Sequence, residues 1–257
     1  MRARLLFCSA AIALNSICFA SSDISNSNKT ISDASLWIKA ISNDDVDQLQ
    51  ILLSKSDHAS SLLESIAPNG KTALMVASKR GDLALVKALF GAGASVNTVT
   101  KTGGNAFMFA VLGNHIEIAK WLTTQKANIS AAGSNGWSAV TIAAAMGHAD
   151  TLKWLTTLDS PIDVPDVYRF TPLMRAADNG HYKCVELLLE TSAVDVNAGD
   201  EWENTALHFV MANKNIHLLE LLLHYGGDIN KPNRDGMTPA FMLNHWPEAQ
   251  QVVDRFQ

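Results

Sequence analysis

The chain has 257 residues, 47 % of them hydrophobic and 18 % charged, with 25 acidic against 20 basic residues and a formal net charge of −5. That composition describes a folded protein and excludes a largely disordered one. The acidic balance and scattered lysines offer no basic groove that would neutralise phosphates, so no nucleic acid partner is expected.

Residues 1–20 read as a secretory signal peptide. Arg2 and Arg4 lead, Leu5 to Ala13 is apolar and small, and Cys18-Phe19-Ala20 before Ser21 places small residues where a signal peptidase reads. The alternatives are an N-terminal anchor or an ordinary buried helix. The run is short for a membrane span and is broken by Asn15 and Ser16, so no stable membrane insertion is expected after cleavage. Removing this segment would leave 18 basic and 25 acidic residues, a net charge of −7, and a single cysteine, Cys184. One cysteine forms no internal disulfide, and its place among apolar residues of a helix predicts a buried, inert thiol. An exported chain of this kind would be periplasmic or secreted. Residues 21–34 are rich in Ser and Asn and read as a flexible linker.

From Ser35 onward the chain repeats. Thr72, Asn105, Ser138, Thr171, Thr205 and Thr238 stand in one register at spacings of 33, 33, 33, 34 and 33, every one an oxygen-bearing helix N-cap. Five residues later come Ala77, Ala110, Ala143 and Ala176, then Val210 and Leu243, where close helix packing favours a small side chain. The loops keep phase at Val96-Asn97, Ile129-Ser130, Ile162-Asp163, Val196-Asn197 and Ile229-Asn230, and the one long step places an extra residue between Thr191 and Val194. Each unit reads as two short amphipathic helices and a loop. Such a hairpin cannot bury its own apolar faces and needs neighbours of the same shape.

The stretches TPLMRAADNGH with VDVN, KTALMVASKRGD with ASVN and NTALHFVM with GDIN carry a resemblance to the ankyrin repeat family, from about Ser35 to Gln257. The resemblance implies an all-α solenoid of helix-turn-helix repeats with β-hairpin fingers. Its expected divisions are an N-terminal capping repeat at 35–66, five full repeats at 67–99, 100–132, 133–165, 166–199 and 200–232, and a C-terminal capping repeat at 233–257. Asn114 and Lys214 occupy the place of the left-handed glycines Gly81, Gly147 and Gly180. Lys tolerates that conformation poorly, so the repeat around Lys214 is expected to be the loosest.

Motifs for chemistry are sparse. Asn69-Gly70-Lys71-Thr72 ends like a phosphate-binding loop, but Ser65 stands where the pattern requires Gly, and a turn followed by a helix cap explains the residues. His115, His148 and His181 lie 33 residues apart at one place in successive repeats, which separates them too widely to share an ion. There is no HExxH, paired CxxC or GxSxG. No enzyme activity, cofactor or metal is expected. Asn28-Lys29-Thr30 and Asn128-Ile129-Ser130 are glycosylation sequons, usable only in a eukaryotic secretory route.

A binding surface remains. In the family the chain resembles, partners dock on the finger tips and on the concave side lined by the first helices. Aromatic residues are absent from the first two tips and then crowd the next three, as Trp137, Tyr168, Phe170 and Trp202. The alternative is that some of these rings fold over the neighbouring finger. Met75, Met108, Met174, His208 and Phe241 recur three positions into the first helices, either as core filler or as an adaptable groove floor. Asp166, Asp178, Asp200 and Glu201 would give an acidic rim. The sequence therefore predicts a monomeric, non-enzymatic module that binds a protein partner through Trp137, Tyr168, Phe170, Trp202, Glu201, Met174 and His208. It would be a periplasmic adaptor or inhibitor, or a secreted effector. The alternatives are a small-ligand or cofactor-handling accessory protein, with the Met and His residues as suspects, and a cryptic enzyme.

Overall fold

The computed structural model describes residues 33–55 and 62–256. The expected signal peptide, most of the linker and the sequon at Asn28 lie outside them. Helix α1 (Asp33–Ser42) begins two residues inside the expected linker, with Ser35 in its first turn. Asp33 explains the earlier start, since a carboxylate in the first turn complements the helix dipole. With α2 (Val46–Lys55) it forms the first capping pair, closed over Trp37, Ile41, Leu49 and Leu52.

Five helix pairs follow: α3 (Ala73–Arg80) with α4 (Leu83–Gly91), α5 (Ala106–Leu112) with α6 (Ile116–Thr124), α7 (Ala139–Met146) with α8 (Ala149–Leu155), α9 (Pro172–Asp178) with α10 (Tyr182–Leu189), and α11 (Ala206–Ala212) with α12 (Ile216–His224). A shortened pair, α13 (Pro239–Met242) and α14 (Gln250–Val253), joined by two 3₁₀ turns, ends the stack. The caps act as the register requires. The backbone N–H three residues on donates to Asn105 Oδ1 at 3.0 Å, to Ser138 Oγ at 3.2 Å, to Thr171 Oγ1 at 3.2 Å and to Thr238 Oγ1 at 3.1 Å.

First helices stack on first helices, from α3 through α5, α7 and α9 to α11, and the small residues sit on the seam. Ala77, Ala110, Ala143, Ala176 and Val210 are all at 0 % exposure, so backbones approach where a longer side chain would hold them apart. The first helix of each of the five full repeats is stopped by a left-handed residue: Gly81, Gly147 and Gly180, and also Asn114 at φ 60° and Lys214 at φ 53°. A Cβ on Gly81 or Gly147 would come within 2.4 or 2.7 Å of the His115 or His181 ring, so packing as well as φ requires glycine there.

The fingers differ from the expected β-hairpins. Among the described residues no strand forms, and one isolated antiparallel bridge joins Ala132 to Ser138. Each finger is a tight turn closed by two backbone bonds at the residue five before the cap, such as Asp166 N to Phe170 O and Arg169 N to Asp166 O, both at 2.9 Å. The turns are then tied to each other. Val167 N donates to Asn135 O at 3.1 Å, Glu201 N to Tyr168 O at 3.1 Å and Arg234 N to Trp202 O at 2.9 Å. Each closing pair is followed at once by the helix cap, which leaves no arm for a ladder, and the tip groups bond to the neighbouring finger instead.

Candidate functional site

The fingers of the fourth and fifth full repeats are shaped from within by aspartates. Asp166 Oδ1 accepts from Tyr168 N at 2.9 Å and Phe170 N at 3.0 Å, and Asp200 Oδ1 accepts from Trp202 N and Asn204 N, both at 2.8 Å. Both carboxylates are buried, at 5 % and 2 % exposure, so they form no rim. This corrects the acidic rim expected from the sequence, of which only Asp178 and Glu201 lie nearer the surface. An Asx turn needs its carboxylate folded back on the main chain, and that draws the charge inward.

The aromatics divide in two. Trp137 is buried at 6 %, and its indole Nε1 donates to Asp166 Oδ2 at 3.2 Å. The Arg175 guanidinium donates to the same oxygen from Nη2. Its Cζ lies 5.3 Å from the centroid of a Trp137 ring and 4.1 Å from that of Phe170, a cation–π sandwich. Phe170 is half-buried and packs on Phe209 at a centroid distance of 5.1 Å. Trp137 and Phe170 therefore glue fingers together instead of facing a partner. Arg175, which organises this knot, carried no sequence signal beyond a charge inside a first helix.

Tyr168 and Trp202 stand outside, at 58 % and 59 % exposure on adjacent fingers, with Val167 at 59 % and Glu201 beside them. They occupy the same finger position, three before the cap, while Trp137 and Phe170 sit one before it. The step of two residues separates tip from base. Met174 is buried at 1 % and His208 at 5 %, so neither floors a groove. His208 Nδ1 accepts from Thr205 N at 3.0 Å, and its Nε2–H donates to Met237 O at 3.0 Å. Burial pushes its pKa below the ordinary histidine value. Met75 and Met108 are likewise core, and of that stripe Phe241, in α13, is exposed at 54 %, near Met237 at 36 % on the last finger.

Sequence reasoning missed one feature of these two tips. The residue two before the cap is glycine at positive φ in four fingers, as Gly70, Gly103, Gly136 and Gly236, but it is Arg169 at φ 62° and Glu203 at φ 61° in the other two. A side chain in that conformation costs on the order of 1–2 kcal/mol. The two are paired with each other, Arg169 Nη1 to Glu203 Oε1 at 3.0 Å, across the gap between Tyr168 and Trp202. The signal was available as a break in the glycine register.

Other chemistry is thin. His148 and His181 donate from Nε2 to Leu112 O at 3.3 Å and to Ala145 O at 3.1 Å, tying each repeat to the one before. Cys184 is buried, and desolvation pushes its thiol up to about 11. A cleft of about 260 Å³ lined by Trp137, Met146, Arg175, Asp178, Asn179 and His181 runs beside the knot. A shallow groove of about 670 Å³ lies away from the fingers, between Tyr182, His217, Glu220, His224 and Phe256. Among the described residues no group of three or more His, Cys, Asp or Glu is placed to hold a metal ion, and no helix is long and apolar enough to cross a membrane.

The comparisons with known proteins agree with this architecture. A family profile described as "Ankyrin repeats (3 copies)" matches residues 36–133 and 124–200, and a single "Ankyrin repeat" profile matches 202–234. Palmitoyltransferase ZDHHC17 of Danio rerio is 37 % identical over 92 residues, covering 32 % of this chain and 15 % of that protein. Palmitoyltransferase akr1 of Schizosaccharomyces pombe is 40 % identical over 58 residues, covering 23 % of this chain and 9 % of the relative. Inversin of Gallus gallus is 35 % identical over 80 residues, covering 31 % and 7 %. The chain thus spans a small part of the relatives it matches. The repeat register, the stacked helix pairs and the profile matches over most of the length agree, and the chain belongs to the ankyrin repeat family.

Proposed function

We propose that this protein is an exported, non-enzymatic binding module that captures a partner protein on the fingers of its fourth and fifth full repeats. Ankyrin repeats form protein–protein interaction modules, and the observation that carries this location is the exposed pair Tyr168 and Trp202 on neighbouring tips. Exposed large aromatics of this kind commonly dominate interface energy. The paired Arg169 and Glu203 support the same location. Non-glycine residues at a left-handed position are retained at a cost in stability, and such cost collects at functional sites.

Export rests on the first 20 residues of the sequence and makes the compartment periplasmic or extracellular. Within it the module acts as an adaptor, as an inhibitor of a resident protein, or as an effector on another cell. The accessory-protein reading loses support, because Met75, Met108, Met174 and His208 are buried in the stack.

The test is an affinity capture from the compartment's own extract, using the chain from Ser21 beside its Tyr168→Ala/Trp202→Ala variant and reading retained proteins by mass spectrometry. The reading expects one protein retained by the parent and lost by the variant, with the melting temperature changed by less than about 2 °C because surface substitutions rarely matter more. A partner held equally by both places the surface elsewhere.

A further inference from the structure

Asn97 and Asn197 stand eight residues before the caps Asn105 and Thr205, and each joins its repeat to the next with both ends of its amide. Asn97 Oδ1 accepts from Asn128 N at 2.7 Å while Nδ2 donates to Lys126 O at 3.2 Å. Asn197 Oδ1 accepts from Asp228 N at 2.7 Å while Nδ2 donates to Gly226 O at 3.0 Å. Asp163 holds the same place before Thr171. Its Oδ2 keeps the accepting half, taking Asp195 N at 3.2 Å, but its Oδ1 is buried without a partner.

The reason is chemical. At Asn97 and Asn197 the second atom is a donor facing a carbonyl, and an ionised carboxylate has no donor to offer. The carbonyl lies 29 residues after the asparagine in both working junctions. The same count from Asp163 falls in the loop from Thr191 to Val194, where the chain carries its extra residue.

We propose that Asp163 is a proton-operated latch between the third and fourth full repeats. Protonated, its O–H supplies the missing donor and closes the junction as an asparagine does. Ionised, it leaves a buried anion with half its bonds and loosens the base of the finger that carries Tyr168. Asp195 is the charged group that acts on it, with the same sign, while Asp159 on its own loop and Glu190 at the end of α10 are exposed. Among the described residues no cation is paired with it.

Burial first, and Asp195's charge after it, raise the Asp163 pKa above 3.8, against the opposing pull of the Asp195 N–H. The folded chain therefore binds this proton more tightly than the unfolded one. Its contribution is fully present below the ordinary aspartate value and is lost as pH rises through the raised one.

The test compares thermal unfolding of the full chain with its Asp163→Asn variant at pH 7.5 and pH 4. At pH 7.5 the variant melts about 2–4 °C higher, the shift that one restored hydrogen bond brings in a chain of this size. At pH 4 the difference is smaller, because the fraction of the parent that carries its own proton grows as pH falls through the raised value. No gain at pH 7.5, or a gain of equal size at both pH values, overturns the latch. A carbon-13 titration of the Asp163 carboxyl in the unmodified protein gives an independent reading, and a midpoint at or below the ordinary aspartate value also overturns it.

Discussion

The Trp137 indole donates to the Asp166 carboxylate at 3.2 Å, a bond that runs from the base of one finger to the root of the next. The same carboxylate holds Arg175 and the main chain of Tyr168 and Phe170, so one buried anion fixes two side chains and one turn. Its charge is matched by Arg175, and its burial is tolerated because both oxygens have partners.

Trp137→Ala therefore tests the core and not the binding surface. Removing a buried indole costs about 3–5 kcal/mol, and it strips one donor from Asp166 as well. The melting temperature should fall by roughly 6–20 °C in a chain of this size. Differential scanning calorimetry decides it. A change within about 2 °C would mean that the ring is as dispensable as an exposed one.

Much of the fold was legible in the sequence because repeats average out local ambiguity. The caps from Thr72 to Thr238, the seam alanines and the left-handed Asn114 and Lys214 each follow from one residue type in one register. The site was legible only in part. Tyr168 and Phe170 are two residues apart in the same loop, yet one faces out and the other packs on Phe209. Composition alone treats them alike. What separates them is the Asx turn at Asp166, which reverses the chain between the two positions. The failure at Met174 has a different cause. A thioether suits a core and a binding groove equally well, and the stripe at positions 75, 108 and 174 says only that the side chains share a face.

Lys214 is the strained member of the helix-stop register, at φ 53° where Gly180 and Gly147 stand elsewhere. Lys214→Gly relieves a left-handed side chain worth about 1–2 kcal/mol, offset by about 0.5–1 kcal/mol from glycine's greater freedom when unfolded. The net gain of up to about 1.5 kcal/mol should raise the melting temperature by up to about 6 °C. Hydrogen exchange in the parent should be fastest over α11 and α12 and should slow there in the variant. Exchange that is uniform across the repeats in both proteins would show that the strain is absorbed without local opening.

His208 supplies the pH dependence of the same repeat. It stands three residues after its cap, where its Nδ1 takes the Thr205 N–H, and that bond requires the nitrogen to be unprotonated. Burial lowers its pKa below 6.5, so the unfolded chain binds the proton more readily than the folded one. Stability is then fully present above the unfolded value and falls as pH drops through the window beneath it. Thermal melts from pH 7.5 to pH 5 should show this decline. His208→Gln places a side-chain amide oxygen at the same capping position with no proton to gain, so it should flatten the slope. His148, whose pKa is lowered by burial and by the charges of His181 and His115, remains in that variant and leaves a residual decline. A slope unchanged by the substitution would move the effect to His148.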